Sequence, residues 1–338
     1  MSFIISLDAM GGDSAPQIVI DGASKALSNG VKCSFLVFGD ERKIETLLLN
    51  HPQHKQYFKI IHTDEVITNE MKVVAAIRTL PKSSMRLAID AVAKGEAAAV
   101  VSAGNTGAYM ALSKLLLKTF EGIDRPALAT TIPTLTGQAL VMDFGANVEC
   151  TPENITQFAI LGHVFGQRLL KKARPTIGLL NVGTEEVKGN TIVQEAAQQI
   201  RNLKHLNFHG FVEGDDITAG TTDIVVTDGF TGNVALKTME GTAKLIQKML
   251  EHSLRQSWLS KLGYLMAKGA FQNLKSRIDP RLHNGALFLG LKGIAVKSHG
   301  GMDAVGFANA IRVAASLASD AASGQIATDL DRVLKEEK

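Results

Sequence analysis

The sequence has few cysteines and few aromatic residues, and its excess of positive charge is small. Two cysteines among 338 residues cannot form a disulfide framework, so we expect a reducing compartment, the cytoplasm. Aromatic side chains make up 5% of the chain, which disfavours a surface that stacks nucleic-acid bases. The net charge of +3 is too small to indicate such a surface by itself. We therefore expect no nucleic-acid partner.

Long hydrophobic runs are also missing. No uncharged apolar stretch reaches the roughly 18 residues that a membrane-spanning helix needs. Residues 1–8 form a short apolar run with no basic segment before it, which is typical of a first strand and not of a signal peptide. We expect a protein that is soluble or bound only at a membrane surface.

What the sequence does contain is a regular alternation of short apolar runs with longer helical patterns. The runs at 3–7, 33–38 and 97–101 are each followed by a helical pattern, an order typical of a parallel or mixed sheet covered by helices on both faces. At 45% hydrophobic residues, the chain is long enough to bury a large α/β core. No repeat or linker divides it, so we treat residues 1–338 as one domain.

Polar, glycine-containing loops follow five of the predicted strands, at 8–13, 102–107, 143–147, 181–189 and 228–233. The first N–H groups of a helix lack partners and carry partial positive charge, so such loops favour anions. In a parallel sheet all five loops lie at one edge. They contain no nucleotide fingerprint, nucleophile elbow or zinc motif. The pattern predicts a site that positions an anion and has neither a covalent nucleophile nor a metal.

Several of these residues also have an ordinary structural interpretation. Asn105 or Thr106 is suited to cap the helix that follows its loop, and Asn233 is suited to cap a later helix. On this interpretation the loops are well-capped turns and bind nothing. The sequence by itself leaves both interpretations open.

Lys188 is the best electrostatic candidate, and its alternative is an exposed loop lysine. Glu185 and Glu186 either orient that lysine or are simply exposed. His299 either polarises a leaving group or has a structural role.

Six segments occur in an order that is characteristic of one family. They are Asp8-Ala-Met-Gly-Gly-Asp13, Ser102-Ala-Gly-Asn-Thr-Gly-Ala108, Asp143-Phe-Gly-Ala-Asn147, Asn181-Val-Gly-Thr-Glu-Glu-Val-Lys-Gly189, Gly229-Phe-Thr-Gly-Asn-Val-Ala-Leu-Lys237 and Ser298-His-Gly300. On these residues the chain resembles the bacterial phosphate acyltransferases of phospholipid synthesis, the PlsX type. The resemblance extends from the first residues to about residue 320.

The resemblance implies a Rossmann-like three-layer α/β/α fold, related to phosphate acetyltransferase and isopropylmalate dehydrogenase. It implies transfer of a fatty acyl group from acyl-[acyl carrier protein] to inorganic phosphate by a homodimer without an organic cofactor. The acyl phosphate then feeds a separate membrane glycerol-3-phosphate acyltransferase. On the matching motifs, the family's catalytic lysine and asparagine fall at Lys188 and Asn233.

A thioester is already activated, so catalysis needs orientation of two reactants and stabilisation of the developing oxyanion. We expect phosphate to lie among the N–H groups of 102–106. The candidate phosphate- and substrate-binding residues are Asp8, Gly11, Gly12, Ser102, Gly104, Asn105, Thr106, Asp143, Asn147, Asn181, Glu185 and His299.

Three other functions fit parts of this pattern. A phosphate acetyl- or butyryltransferase would use coenzyme A thioesters. A decarboxylating dehydrogenase of related fold would show an acidic Mg²⁺ site and a nicotinamide pocket, and the motifs supply neither convincingly. A non-catalytic phosphate- or acyl-binding regulator would bind its ligand without turnover.

A strongly basic stretch lies in a predicted helical hairpin at 237–281, with an expected break at 258–263. Between Lys244 and Arg281, eight lysines and arginines oppose two acidic residues, a local balance of +6. The apolar residues at the break are Trp258, Leu259, Leu262, Leu265 and Met266. A basic amphipathic tip is typical of contact with an anionic membrane or an acidic partner such as acyl carrier protein, and its alternative is a hairpin that packs in a dimer. The resemblance favours peripheral membrane contact.

Overall fold

The computed structural model describes residues 3–319 and 322–335. The strands are β1 (Phe3–Asp8), β2 (Cys33–Gly39), β3 (Phe58–His62), β4 (Ala99–Ser102), β5 (Ala127–Thr134), β6 (Gly137–Met142), β7 (Thr176–Leu180), β8 (Asn207–Val212), β9 (Ile224–Val226), β10 (Ala286–Leu289) and β11 (Ile294–Lys297). They form one sheet in the order β3-β2-β1-β4-β11-β10-β5-β6-β9-β7-β8.

Thirteen α-helices accompany the sheet in the described ranges. They are α1 (Gln17–Ser28), α2 (Glu41–Leu48), α3 (Val73–Thr79), α4 (Ser84–Ala93), α5 (Thr106–Leu117), α6 (Pro152–Leu169), α7 (Thr191–Asn202), α8 (Asp216–Ala219), α9 (Gly229–Arg255), α10 (Trp258–Met266), α11 (Lys268–Ile278), α12 (Ala304–Ser319) and α13 (Ala322–Lys335). Short 3-10 helices lie at Pro52–Tyr57 and Pro280–His283.

Helices cover both faces of the sheet. Successive residues of a strand point to opposite sides, so one strand can contribute to two apolar clusters. Ile5 and Leu7 of β1 are buried in one apolar cluster, which includes residues of α1, α6, α7, α12 and α13. Leu36 and Phe38 of β2 are buried in a second cluster with residues of α4 and α5. The predicted three-layer α/β/α fold is confirmed.

The strands run in two opposite directions. β1, β2, β3, β4 and β11 are parallel to one another. β10 is antiparallel to β11 and β5, and the β5–β6 hairpin reverses the chain again, so β6, β9, β7 and β8 run opposite to β1. The expectation that all the polar loops lie at one edge is therefore wrong. A two-strand hairpin reverses direction without the crossover that parallel strands require.

The ends of the two sets of strands nevertheless meet along one row across the sheet. The row of paired residues runs through Leu7, Val101, Val296, Leu287, Ala129, Met142, Val226 and Leu179. Two groups of loops leave it in opposite directions. The first loop group comprises 8–13, 102–107 and 298–301, and the second loop group comprises 143–147, 181–189 and 227–233.

The helical hairpin differs from its prediction in the position of its breaks. Its first helix, α9, already begins at Gly229, because the Asp228 carboxylate accepts the Thr231 N–H at 2.8 Å and caps it. The chain is helical over Trp258–Met266, where Ser257 provides the cap, so the predicted break at 258–263 is wrong. In the described part of the chain no helix is long and apolar enough to cross a membrane.

Helix α1 packs closely against α12 at Gly22. A Cβ added at Gly22 would lie 2.8 Å from Phe307 Cβ and 3.2 Å from the Ala304 carbonyl oxygen. We predict that Gly22→Ala lowers the free energy of unfolding by about 1–3 kcal/mol, because overpacking exceeds the gain in helix propensity. Denaturant unfolding measures the change.

Gly324→Ala is the matched control, because no atom lies within 4 Å of the added Cβ in α13. It should leave stability unchanged or raise it by up to about 1 kcal/mol. Equal stabilities of Gly22→Ala and the wild type would show that the two helices have room for a methyl group.

Candidate active site

Asp8 ends β1 and lies buried beneath the first loop group, with 1% of its surface exposed. Its Oδ1 accepts the Ser84 hydroxyl at 2.7 Å and the Met10 N–H at 3.3 Å, and its Oδ2 accepts the Ser102 hydroxyl at 2.6 Å. The Ser102 oxygen in turn accepts the Gly104 N–H at 3.1 Å. Burial raises the pKa of the Asp8 carboxyl, and these donors oppose the rise. Asp8 thus fixes the first loop group from below.

Glycines bring the loops of this group into direct contact. A Cβ at Gly11 would overlap the Asp8 carboxylate and lie 2.7 Å from the Gly104 nitrogen. Gly12 has a φ of 112°, and a Cβ there would lie 3.4 Å from the Gly300 carbonyl oxygen. The backbones of 8–13, 102–107 and 298–301 approach one another closely here. Together with the positive φ of Gly12, this excludes side chains at Gly11 and Gly12.

Asn105 caps α5. Its Oδ1 accepts the Ala108 N–H at 3.0 Å, and its Nδ2 donates to the Asn69 carbonyl at 2.9 Å. Thr106 is the first residue of the helix. Of the two caps that the sequence left open, Asn105 is the correct one, and a capped helix start still offers outward N–H groups to an anion.

A buried lysine, which the sequence motifs do not single out, closes β11. Lys297 Nζ donates to the Ala103 carbonyl at 3.3 Å and to the Ser298 carbonyl. Burial lowers the pKa of Lys297 to about 8, against the opposing effect of Asp8 and Asp13. The available signal in the sequence was a lysine at the end of an apolar run, directly before Ser-His-Gly.

His299 joins the first loop group to α9. Asn284 positions this loop, since its Oδ1 accepts the His299 N–H at 3.0 Å and its Nδ2 donates to Ser298 Oγ at 2.8 Å. Ser298 N–H donates to the Ser102 carbonyl at 2.9 Å. His299 Nε2 lies 3.2 Å from Nζ of Lys237. The first loop group is thus in contact with α9, the helix that starts in the second loop group.

Asp143 holds the loop after β6 in the second loop group. Its Oδ1 accepts the N–H groups of Leu128, Gly145 and Ala146 at 3.0–3.2 Å. Its Oδ2 accepts the backbone and side-chain N–H groups of Asn147, both at 2.7 Å. Burial raises the pKa of the carboxyl, and these five donors oppose that rise.

The same loop packs against the start of α9. Gly229 N–H donates to the Asn147 carbonyl at 2.7 Å. A Cβ at Gly145 would lie 3.4 Å from Cβ of Asn233, whose side chain is exposed. Because Asp228 caps α9, the alternative that Asn233 caps this helix is wrong. Its amide is therefore available for another role.

The loop after β7 carries Lys188. Asn181 closes it, since its Nδ2 donates to the carbonyl oxygens of Gly183 at 3.1 Å and of Lys188 at 3.2 Å. A Cβ at Gly183 would lie 2.7 Å from Glu185 Oε2 and 3.0 Å from Lys188 Cγ, so both side chains flank this glycine. Glu186 instead pairs with an arginine of α7. Glu185 is therefore the acidic neighbour of Lys188.

The structure thus brings the sequence-predicted residues together in two sets. The first contains Asp8, Gly11, Gly12, Ser102, Gly104, Asn105, Thr106 and His299. The second contains Asp143, Asn147, Asn181, Glu185, Lys188 and Asn233, on neighbouring strand ends. The two aspartates lie beneath the loops, so they have a supporting position in place of the expected substrate contact.

The dehydrogenase alternative predicts an acidic Mg²⁺ site. Within residues 3–319 and 322–335, no group of three or more His, Cys, Asp or Glu side chains is arranged to hold a metal ion. The acidic Mg²⁺ site of such a dehydrogenase has no counterpart in that part of the chain.

Lys297 makes stability depend on pH. Its pKa is about 8 in the folded protein and near 10.4 for an exposed lysine, so between these values the unfolded chain binds the proton more readily. Stability therefore rises with pH in this window. We predict that the free energy of unfolding of the wild type, minus that of Lys297→Met, rises by roughly 2–3 kcal/mol from pH 7 to pH 10. Denaturant unfolding across this range measures the difference, and parallel pH profiles would contradict the prediction.

The chain matches the model of one protein family and is similar in sequence to several phosphate acyltransferases. A family model described as "Fatty acid synthesis protein" matches residues 3–324. The phosphate acyltransferase of Rhodospirillum centenum is 53% identical over 332 residues, which cover 98% of this chain and 94% of the relative. The phosphate acyltransferase of Paramagnetospirillum magneticum is 51% identical over 331 residues, with coverage of 97% and 94%.

Solved structures share the fold at low sequence identity. A phosphotransacetylase from Streptococcus pyogenes superposes with a TM-score of 0.64 at 16% identity over 94% of each chain. The EutD phosphotransacetylase from Staphylococcus aureus gives 0.59 at 16% identity, also over 94% of each chain. These structures show the fold, and the family model and relatives show the family: the chain belongs to the phosphate acyltransferases, a family of acyl-transferring enzymes.

Proposed function

We propose that this enzyme transfers a long-chain fatty acyl group from acyl-[acyl carrier protein] to inorganic phosphate, and that the acyl phosphate serves phospholipid synthesis. Membership of the phosphate acyltransferase family supports phosphate as the substrate. The observation that carries the proposal is that two groups of polar, glycine-containing loops start from one row of the sheet, and that α9, which starts in the second group, contacts the first through Lys237 and His299.

In this proposal phosphate lies at the start of α5. The outward N–H groups of the first turn attract an anion, and the glycines allow the backbone to approach it closely. Asn105 and Thr106 flank the phosphate, while Asp8 holds the loop through Ser102. The partial charge at the helix start and the buried cation Lys297 both favour a dianion here.

The reaction needs no acyl-enzyme. A phosphate oxygen attacks the thioester carbonyl carbon, a C–O bond forms, and the C–S bond breaks as the tetrahedral intermediate collapses. Lys188 and Asn233 stabilise the oxyanion, one as a cation and the other as an amide donor. The exposed position of both side chains, and the cap that Asp228 provides in place of Asn233, support these roles. Glu185 orients Lys188, and Asp143, Asn147 and Asn181 hold the loops.

We predict that the pure protein releases thiol from long-chain acyl-[acyl carrier protein] only when phosphate is present. Lys188→Ala and Asn233→Ala should each lower kcat by ~10²–10³, because each removes one donor to the oxyanion. Circular dichroism should show both variants folded. Thiol titration with and without phosphate measures the rates.

Lys204→Ala is the matched control, because it removes an exposed lysine between α7 and β8. Near-wild-type rates for Lys188→Ala, or a covalently acylated side chain, would contradict the mechanism. Phosphate binding without any turnover would identify a non-catalytic regulator instead.

A second candidate is a phosphate acetyl- or butyryltransferase that uses acyl-coenzyme A, and the phosphotransacetylase-like fold favours it. The same assay separates the two, because acyl-[acyl carrier protein] should give the higher kcat/KM. A preference for short acyl-coenzyme A would select the second candidate.

We further infer a homodimer that contacts an anionic membrane peripherally, at the cytoplasmic face. The tip of the hairpin supports the membrane contact, since its apolar side chains are 49–84% exposed: Trp258, Leu259, Leu262, Leu265 and Met266. Leu245, Ile246 and Met249 of α9 are also largely exposed, which supports a second copy that covers them. The basic face also suits acidic acyl carrier protein. Membrane contact would bring acyl phosphate to glycerol-3-phosphate acyltransferase.

We predict that Leu262→Glu lowers binding to anionic vesicles about tenfold or more. The substitution removes an apolar contact with the lipid and adds a negative charge that anionic lipid repels. Flotation with vesicles of anionic phospholipid measures the bound fraction. Leu135→Glu is the control, since Leu135 is 89% exposed at the β5–β6 turn and distant from the tip in sequence. Unchanged flotation of Leu262→Glu would discard the membrane role.

A further inference from the structure

The contact between Lys237 and His299 brings two nitrogen donors together. Gly301 N–H donates to His299 Nδ1 at 3.2 Å, so a neutral ring carries its hydrogen on Nε2. That Nε2 faces Lys237 Nζ at 3.2 Å. The lysine, as an ammonium, also has hydrogens and no lone pair, and it donates one of them to Glu240 Oε2 at 2.9 Å.

The other tautomer does not remove the conflict. With the hydrogen on Nδ1, His299 Nε2 would accept from Lys237, but Nδ1–H would then face the Gly301 N–H. A protonated ring would face a hydrogen towards both neighbours. Each ring state therefore leaves two donors side by side when Lys237 is an ammonium, and an oxygen placed beside Lys237 and His299 can accept from both.

The contact lies among two lysines and two carboxylates, and both carboxylates already accept hydrogen bonds from other groups. Partial desolvation, followed by the charge of Lys237, lowers the pKa of His299, so the ring is neutral at pH 7. The charged groups that act on it are Lys237, Glu240, Lys297 and Asp13. Glu240 is engaged by Lys237, and Asp13 Oδ1 accepts the Asn69 amide at 3.3 Å.

The contact also lies between the two parts of the proposed site. Lys237 follows Asn233 by four residues in α9, so the two side chains share one face of the helix about 6 Å apart along its axis. On the other side, the residue before His299 is hydrogen-bonded through its N–H to the Ser102 carbonyl, in the loop that precedes α5.

We propose that Lys237 Nζ and His299 Nε2 together bind one oxygen of the inorganic phosphate substrate. This inference rests on the proposed function and adds Lys237 to the residues that bind the nucleophile. His299 belongs to the first loop group and Lys237 to α9, which starts in the second, so a bound phosphate connects the two parts. The bound oxygen accepts from both nitrogens.

The test is calorimetric titration of inorganic phosphate into the wild type, Lys237→Met, His299→Ala and the double variant. Each single substitution should raise the Kd for phosphate by about tenfold or more, because a charge-assisted or desolvated hydrogen bond is lost. The double variant should bind only slightly more weakly than either single variant, since both donors serve one oxygen. In turnover, the KM for phosphate should rise while that for the acyl donor stays within about twofold.

Lys114→Met controls for the general loss of a positive charge, because Lys114 is exposed on α5 and distant from the contact in sequence. A Kd for Lys237→Met within twofold of the wild-type value would overturn the proposal, as would a wild type that binds no phosphate. If the wild type binds phosphate tightly through Lys237 but transfers no acyl group, the proposed function fails and this binding site stands.

Discussion

A carboxylate that is buried at the end of a strand needs hydrogen-bond donors, and both halves of the site are built on this requirement. Asp8 is supplied by two serine hydroxyls and one N–H group, which come from β4, α4 and its own loop. Asp143 is supplied by five N–H donors, four of them from the loop that it holds. In each half the buried charge fixes a loop whose outer surface then remains available for a substrate.

The direction of the strands decides how these two halves face each other. An all-parallel sheet would place every loop side by side along one edge. Here β10 and β5 reverse the chain in the middle of the sheet, so the loop groups leave one shared row in opposite directions. The long helix α9 then carries side chains from the second group to the first, where Lys237 meets His299.

Much of the local structure could be predicted from the sequence, because local patterns determine it. The short apolar runs at 3–7 and 33–38 located β1 and β2 to within one residue. Strand direction could not be predicted in this way, since it depends on the pairing of Leu287 with Ala129, which are far apart in the chain. The burial of Lys297 could not be predicted either. Segments that are far apart in the chain enclose its side chain, whereas the local pattern indicates an exposed lysine. The motif residues could be grouped only through their resemblance to a family.

The long helix α9 has a mechanical consequence. Its 27 residues span about 40 Å, with Asn233 near one end and the apolar tip of α10 attached at the other. A helix of this length is stiff, so a tilt of the tip displaces the end that carries Asn233. On the proposed function, binding at the tip is therefore coupled to the position of Asn233.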